Sequence, residues 1–236
     1  MKKNLLTTIL LVAILVSGHT QVSYQKTFSD TANYGTYALP TPDGGLILLS
    51  SQIGARPSQV LKLNANGDTL WSKHYDMNFS LIEPTFDGGF ILSTSRATSS
   101  DSALVKTDAN GNITWAKNLD GFATQTMDSG YVLMDYQNSS VYKTDGLGDT
   151  LWTKQYTAPF LTELVTAKPT FDKGFIINGN FQPGNRMPTL IKTDSLGDVL
   201  WSKYYDDGSA NGLGYCYGSY QTPDSGYIVY GGWFPD

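Results

Sequence analysis

From residue 21 onward the apolar positions alternate with polar ones at a period of two, and no stretch carries the i, i+3, i+4, i+7 spacing of an amphipathic helix. Short apolar runs stand at Leu46–Leu49, Phe90–Leu92, Tyr131–Met134, Phe175–Ile177 and Tyr227–Tyr230. Each follows a turn cluster: Asp43-Gly44-Gly45, Asp87-Gly88-Gly89, Asp128-Ser129-Gly130, Asp172-Lys173-Gly174 and Asp224-Ser225-Gly226. Asp bonds to its own backbone and Gly accepts a positive φ, so each cluster predicts a tight hairpin. The aspartates recur at intervals of 44, 41, 44 and 52 residues. A second hairpin loop recurs four times, centred on Gly67, Gly111, Gly148 and Gly197, and each leads into a strand carrying Trp71, Trp115, Trp152 or Trp201. One repeat therefore predicts four strands; in the second copy they fall at about Ser80–Pro84, Phe90–Thr94, Ala103–Thr107 and Ile113–Asn118.

Four-stranded units of about 40–45 residues have the size of propeller blades, which hide their sheet edges by radial repetition. The predicted architecture is an all-β propeller of about five repeats over residues 21–236, with an incomplete last blade. Tryptophan in the fourth strand offers each blade a large apolar face for its neighbour. The fifth repeat shows only its first two strands, Gly214–Gln221 and Tyr227–Gly231. Gln21–Phe28 imitates the Trp71-x-Lys73-x-Tyr75 pattern and is expected to be an outermost strand without a blade of its own. Either a five-bladed ring with a thin last blade or a fragment of a longer array fits these ends.

Charge and composition narrow the class. Charged residues make up 16% and aromatics 13%, with 15 tyrosines. So many aromatics exclude a disordered chain. A net charge of −5 gives no reason to approach nucleic acid. Lys2-Lys3 followed by the apolar run Leu5–Val16 and by small or polar residues is a secretory leader over residues 1–20, too short to span a membrane. The exported chain is expected to be secreted or displayed at the cell surface, as a monomer. Cys216 is the single cysteine, so neither a disulfide framework nor a CxxC zinc site is available.

The pattern Thr-x-Asp-Gly-Gly-Phe-Ile-Leu, followed by Leu-x-Lys-Thr-Asp-x-x-Gly-Asp-x-x-Trp-x-Lys, resembles the repeats of large proteins secreted by Bacteroidota. The resemblance covers about residues 21–236 and implies quinoprotein-like propeller blades and export. Such proteins commonly end in a type IX sorting domain, which this sequence lacks.

Candidate chemistry is sparse. The mature chain holds His74 alone, at a strand position occupied elsewhere by Asn118, Gln155 and Tyr204. Cys216, between Tyr215 and Tyr217, reads as a buried thiol. Most acids sit at repeated turn positions and are explained by the blade. The exceptions are Glu83 and Glu163, the only glutamates, which on inner strands could act as a glycosidase carboxylate pair. The Asp108–Asn112 type of loop has Gly fourth and no following Glu, unlike an EF-hand. No metal and no cofactor, a quinone included, is expected. Eight repeat-locked lysines (Lys62, Lys106, Lys143, Lys192, Lys73, Lys117, Lys154 and Lys203) read as solvated faces and edge protection. Asp30-Thr31-Ala32, Asp101-Ser102-Ala103 and Asp68-Thr69-Leu70 resemble Bacteroidota O-glycosylation triplets, though turn composition explains them as well.

The function these features predict is a non-enzymatic binding scaffold for glycan or protein ligands, offered by segments such as Tyr204-Tyr205 and Gly214–Tyr220. The alternatives are a carbohydrate-active enzyme using Glu83 and Glu163, or a structural segment of a larger surface protein.

Overall fold

The structure, a computed structural model, describes residues 34–52, 55–94, 104–156, 163–181, 187–205 and 213–234. The leader, the Gln21–Phe28 strand and the triplets at Asp30 and Asp101 lie outside these residues. The chain divides into two compact units between Asn78 and Phe79. Among the described residues every regular element is a strand, and no helix is long and apolar enough to cross a membrane.

The first unit holds one antiparallel sheet, β1 (Tyr34–Pro40), β2 (Leu46–Gln52), β3 (Ala55–Leu63) and β4 (Thr69–Tyr75), paired in chain order. The second unit repeats the plan. β5 (Leu81–Pro84), β6 (Phe90–Ser93), β7 (Leu104–Thr107) and β8 (Ile113–Lys117) form one sheet, and β9 (Phe122–Gln125), β10 (Tyr131–Asp135), β11 (Ser140–Thr144) and β12 (Thr150–Gln155) the next. A third comprises β13 (Glu163–Pro169), β14 (Phe175–Phe181), β15 (Met187–Thr193) and β16 (Val199–Tyr204). The last described sheet has two strands, β17 (Leu213–Gln221) and β18 (Tyr227–Phe234).

Five turns share one device. In the first, the Thr41 hydroxyl donates to Asp43 at 2.6 Å and the Gly45 N–H donates to the same oxygen at 3.1 Å. Thr85, Thr126, Thr170 and Thr222 do the same to their own aspartates. The positive φ falls one residue before the fixed glycine, on Gly44, Gly88, Ser129, Lys173 and Ser225. The fixed glycine serves a different need from the one the sequence implied. A Cβ on Gly89 would lie 2.1 Å from the Thr107 carbonyl oxygen and 2.6 Å from Lys106 Nζ, and Gly45, Gly130 and Gly174 are crowded in the same way.

The lysines that crowd these glycines are not the solvated residues the sequence predicts. Lys62, Lys106, Lys143 and Lys192 are buried and not solvated. Register sets each opposite a buried residue of the second strand: Ile47, Ile91, Val132 and Ile176. Antiparallel partners share a face, so the lysine stem runs beneath the turn and its ammonium reaches the turn aspartate, at 2.7–2.9 Å in all four. Lys106 also donates to the Thr107 carbonyl at 2.7 Å. The pair raises the acidity of each partner carboxyl. For Asp43 the Lys62 bond comes first and the Thr41 bond second, and they hold its pKa at about 2. Burial alone would push Asp87 and Asp172 up, but the lysine and threonine bonds outweigh it and hold both at about 2.

Neighbouring sheets of the second unit are joined by the fourth strands. In β12 the side chains of Trp152 and Lys154, with Tyr156 just beyond, alternate onto one face and grip the loop before β16. Lys154 pairs with Asp198, and Tyr156 donates its hydroxyl to the Gly197 carbonyl at 2.6 Å. Lys117 reaches Asp149 in the same way at 2.5 Å. Each tryptophan meets, edge to face at 5.6 Å, the aromatic residue after the next turn: Trp115 with Tyr131, Trp152 with Phe175, Trp201 with Tyr227. Apolar clusters run across these junctions, one through Ile91, Leu104, Ala123 and Tyr131, another through Val132, Tyr156, Leu164 and Phe175.

Candidate functional site

Where the Trp201-x-Lys203-x-Tyr205 face projects from the last four-stranded sheet, no Gly-Asp loop packs on it among the described residues. Tyr205, the counterpart of Tyr156, instead lines a cleft of about 290 Å³ together with Tyr215, Tyr227 and Tyr230. Pro188 and Cys216 lie in its wall, and Val229, Gly231 and Gly232 complete it. The Tyr205 N–H donates to the Pro188 carbonyl at 2.9 Å, which fixes that side of the cleft. On the other side, β17 and β18 approach closely because of glycine. A Cβ on Gly231 would sit 1.8 Å from the Tyr215 carbonyl oxygen, and one on Gly218 would sit 2.4 Å from the Tyr230 hydroxyl. Tyr220 and Tyr230 stack at 5.7 Å with planes 11° apart, and both are about half exposed. Register shifts between Cys216 and Gly218, so the strand bulges and turns Tyr217 outward.

A buried polar chain supports the cleft from beneath. The Cys216 N–H donates to Asn180 Oδ1 at 3.0 Å, and Asn180 Nδ2 donates to Glu163 Oε2 at 3.1 Å. Tyr136 donates to the other Glu163 oxygen at 3.2 Å. Asn178 donates to the Cys216 sulfur at 2.9 Å and accepts from Ser219 at the same distance. Burial pushes the Cys216 thiol up, and the Asn178 bond offsets this only in part. The thiol is a packed, protonated group at neutral pH.

The two glutamates are held by different partners. Glu83, on β5, accepts from Lys168 at 2.7 Å, and the same ammonium donates to Thr124 at 2.7 Å. One lysine thus ties β5, β9 and β13. Glu163 stands five residues before Lys168 on β13 and bonds instead to Asn180 and Tyr136. His74 is exposed on β4, opposite Gln59. In the loop after β7, Asp108 accepts from the backbone N–H groups of Asn110 at 2.9 Å and Asn112 at 2.8 Å, with Gly111 at φ 74°. That is hairpin chemistry.

Sequence reasoning found the tyrosine-rich segments but not the cleft, whose walls come from residues up to 44 positions apart. The threonine of every Thr-x-Asp turn was the available signal for a structural carboxylate.

No protein-family model matches the chain, and no curated protein does. Solved structures are similar in fold. A protein of unknown function from Bacteroides caccae aligns with a TM-score of 0.57 at 14% identity, covering 77% of this chain and 70% of its own. A catalytically inactive variant of virginiamycin B lyase from Staphylococcus aureus, solved with quinupristin, aligns at 0.59 and 12% identity, over 89% of this chain and 74% of the lyase. A member of the DUF4221 family from Bacteroides vulgatus aligns at 0.54 and 9% identity, over 86% and 78%. At these identities the likeness is one of fold. The protein is all-β, with the repeated four-stranded blades of a β-propeller and a fifth repeat that is two-stranded among the described residues.

Proposed function

We propose that this protein is an exported binding module that engages glycans through the tyrosine-lined cleft, without turnover. The observation that carries the reading is the cleft itself: Tyr205, Tyr215, Tyr227 and Tyr230 converge on about 290 Å³ of open space. Tyrosine offers a flat apolar ring for the face of a sugar and a hydroxyl for its rim, at low conformational cost. The glycine-enforced closeness of β17 and β18 and the Glu163–Asn180–Cys216 chain hold those rings in place before any ligand arrives. Export follows from the leader pattern and from the resemblance to secreted repeat proteins.

The test is titration calorimetry of the intact protein against a panel of soluble polysaccharides, with products followed by chromatography. Saturable binding that falls at least tenfold in Tyr230→Ala, with unchanged melting behaviour and no new reducing ends, is expected. Absence of binding across the panel, or release of sugar, overturns the reading.

A further inference from the structure

In each four-stranded sheet of the second unit the first-to-second turn and the third-to-fourth loop lie at the same end, because antiparallel strands pair in chain order. Contacts between sheets set these ends side by side. The Phe86 N–H donates to the Gln125 side chain at 2.7 Å, and Lys117 and Lys154 reach Asp149 and Asp198. In these three sheets every residue of the turns and loops is described. Five large apolar side chains stand in water there: Phe86, Met127 and Phe171 on the turns, Leu147 and Leu196 on the loops, each 58–71% exposed. A single exposed apolar residue needs no explanation, but five at one end of three sheets mark an interaction surface. Each precedes, by one or two residues, an aspartate whose side chain is more than half exposed: Asp87, Asp128, Asp172, Asp149 and Asp198. The lysines paired with them rise from the strands beneath and are buried under the turns and about two-thirds buried under the loops. The ion pairs are therefore oriented with the carboxylate outward. Asp145 and Asp194, whose carboxylates close the two loops on backbone N–H groups, add further negative charge.

We propose that this end of the second unit is a docking surface for an arginine-bearing, amphipathic segment of a partner polypeptide. Arginine is the side chain the pattern fits. Phe86 beside Asp87, and Phe171 beside Asp172, each offer a ring for the guanidinium plane and a carboxylate for its fork of donors. Lysine carries a compact point charge and matches neither geometry as well. Met127, Leu147 and Leu196 supply apolar contact between the charged positions. The outward carboxylates steer a cationic segment and repel the same surface on a second copy. Lys173 shares the turn of Asp172 and weakens the attraction there, so the Phe86 turn is the stronger anchor. The surface does not rest on the glycan reading, since none of these residues lines the tyrosine cleft.

The probe is a fluorescein-labelled, amidated peptide of sequence Arg-Leu-Arg-Leu-Arg-Leu, with polarisation read on the full-length protein. Saturable binding is expected, weakened by added salt and reduced about tenfold by Phe86→Ser, which removes an exposed ring and should leave the melting temperature unchanged. Asp87→Asn should weaken binding likewise, Lys173→Gly should tighten it, and Tyr230→Ala should leave it as it is. Lysine in place of the peptide arginines should cost about fivefold, and glutamate should abolish binding. Absence of saturable binding, binding indifferent to Phe86, equal binding of the lysine peptide, or loss in Tyr230→Ala overturns the proposal. So does a dimer in sedimentation that Phe86→Ser disperses, because the surface then serves a second copy. Flotation with phosphatidylcholine vesicles that Phe86→Ser abolishes overturns it as well, in favour of a membrane.

Discussion

Removing either half of the Asp87–Lys106 pair should have unequal effects. Asp87→Ala strands a buried ammonium on one backbone carbonyl. Because the carboxylate is more than half exposed, water screens the pair, and a loss of about 1–2 kcal/mol is expected in urea unfolding. Lys106→Met keeps the stem and removes the charge, and should fall closer to neutral. The same pairs set the acid limit. Asp43, Asp87 and Asp172 have pKa values lowered from 3.8 to about 2. Their contribution is complete above about pH 4 and disappears as the pH falls through about 2. A thermal melt series should therefore lose stability progressively between those values, less so in Asp87→Asn. At the positive-φ turn position, Lys173 has φ 66° where Gly88 occupies the equivalent site. Lys173→Gly should stabilise by about 0.5–1 kcal/mol, since only glycine adopts that conformation without Cβ strain.

The element that joins one sheet to the next is the fourth strand with its Trp-x-Lys face. Its grip depends on a glycine in the neighbouring loop. A Cβ on Gly197 would lie 2.9 Å from Trp152 and 3.0 Å from the Tyr156 hydroxyl, at φ 78°. Gly88 has a similar φ of 81° but its nearest neighbour would be Ala109 at 4.0 Å. Gly88→Ala should cost about 1 kcal/mol from backbone strain alone. Gly197→Ala adds displacement of a packed tryptophan and should cost about 2–4 kcal/mol. Equilibrium unfolding of the two variants separates the two causes. The strands themselves were readable in advance: those of the second repeat begin and end within one residue of their predicted bounds, because a period of two bracketed by turn residues leaves little freedom of placement. The lysines were not. An alternating strand shows which residues share a face, but whether that face meets water depends on the next sheet.

At the scale of the whole molecule, the protein recovered from its native source is expected to begin near Gln21; N-terminal sequencing checks this, and a chain starting at Met1 would contradict export by a cleaved leader. The repeat itself was determined by sequence, because turns and apolar runs are local: five Thr-x-Asp turns, four Gly-centred loops and four Trp strands specify four-stranded sheets before any coordinate is known. Burial of the turn-bound lysines, the different partners of Glu83 and Glu163 and the tyrosine-lined cleft were decided only by tertiary structure. Each depends on what a residue meets across a gap of 15–85 positions, as Lys143 meets Asp128 and Lys168 meets Glu83. A periodic sequence repeats its local rules in every copy, but it does not record what each face meets, and that contact decides whether a strand lysine is solvated or closed into an ion pair with a turn aspartate.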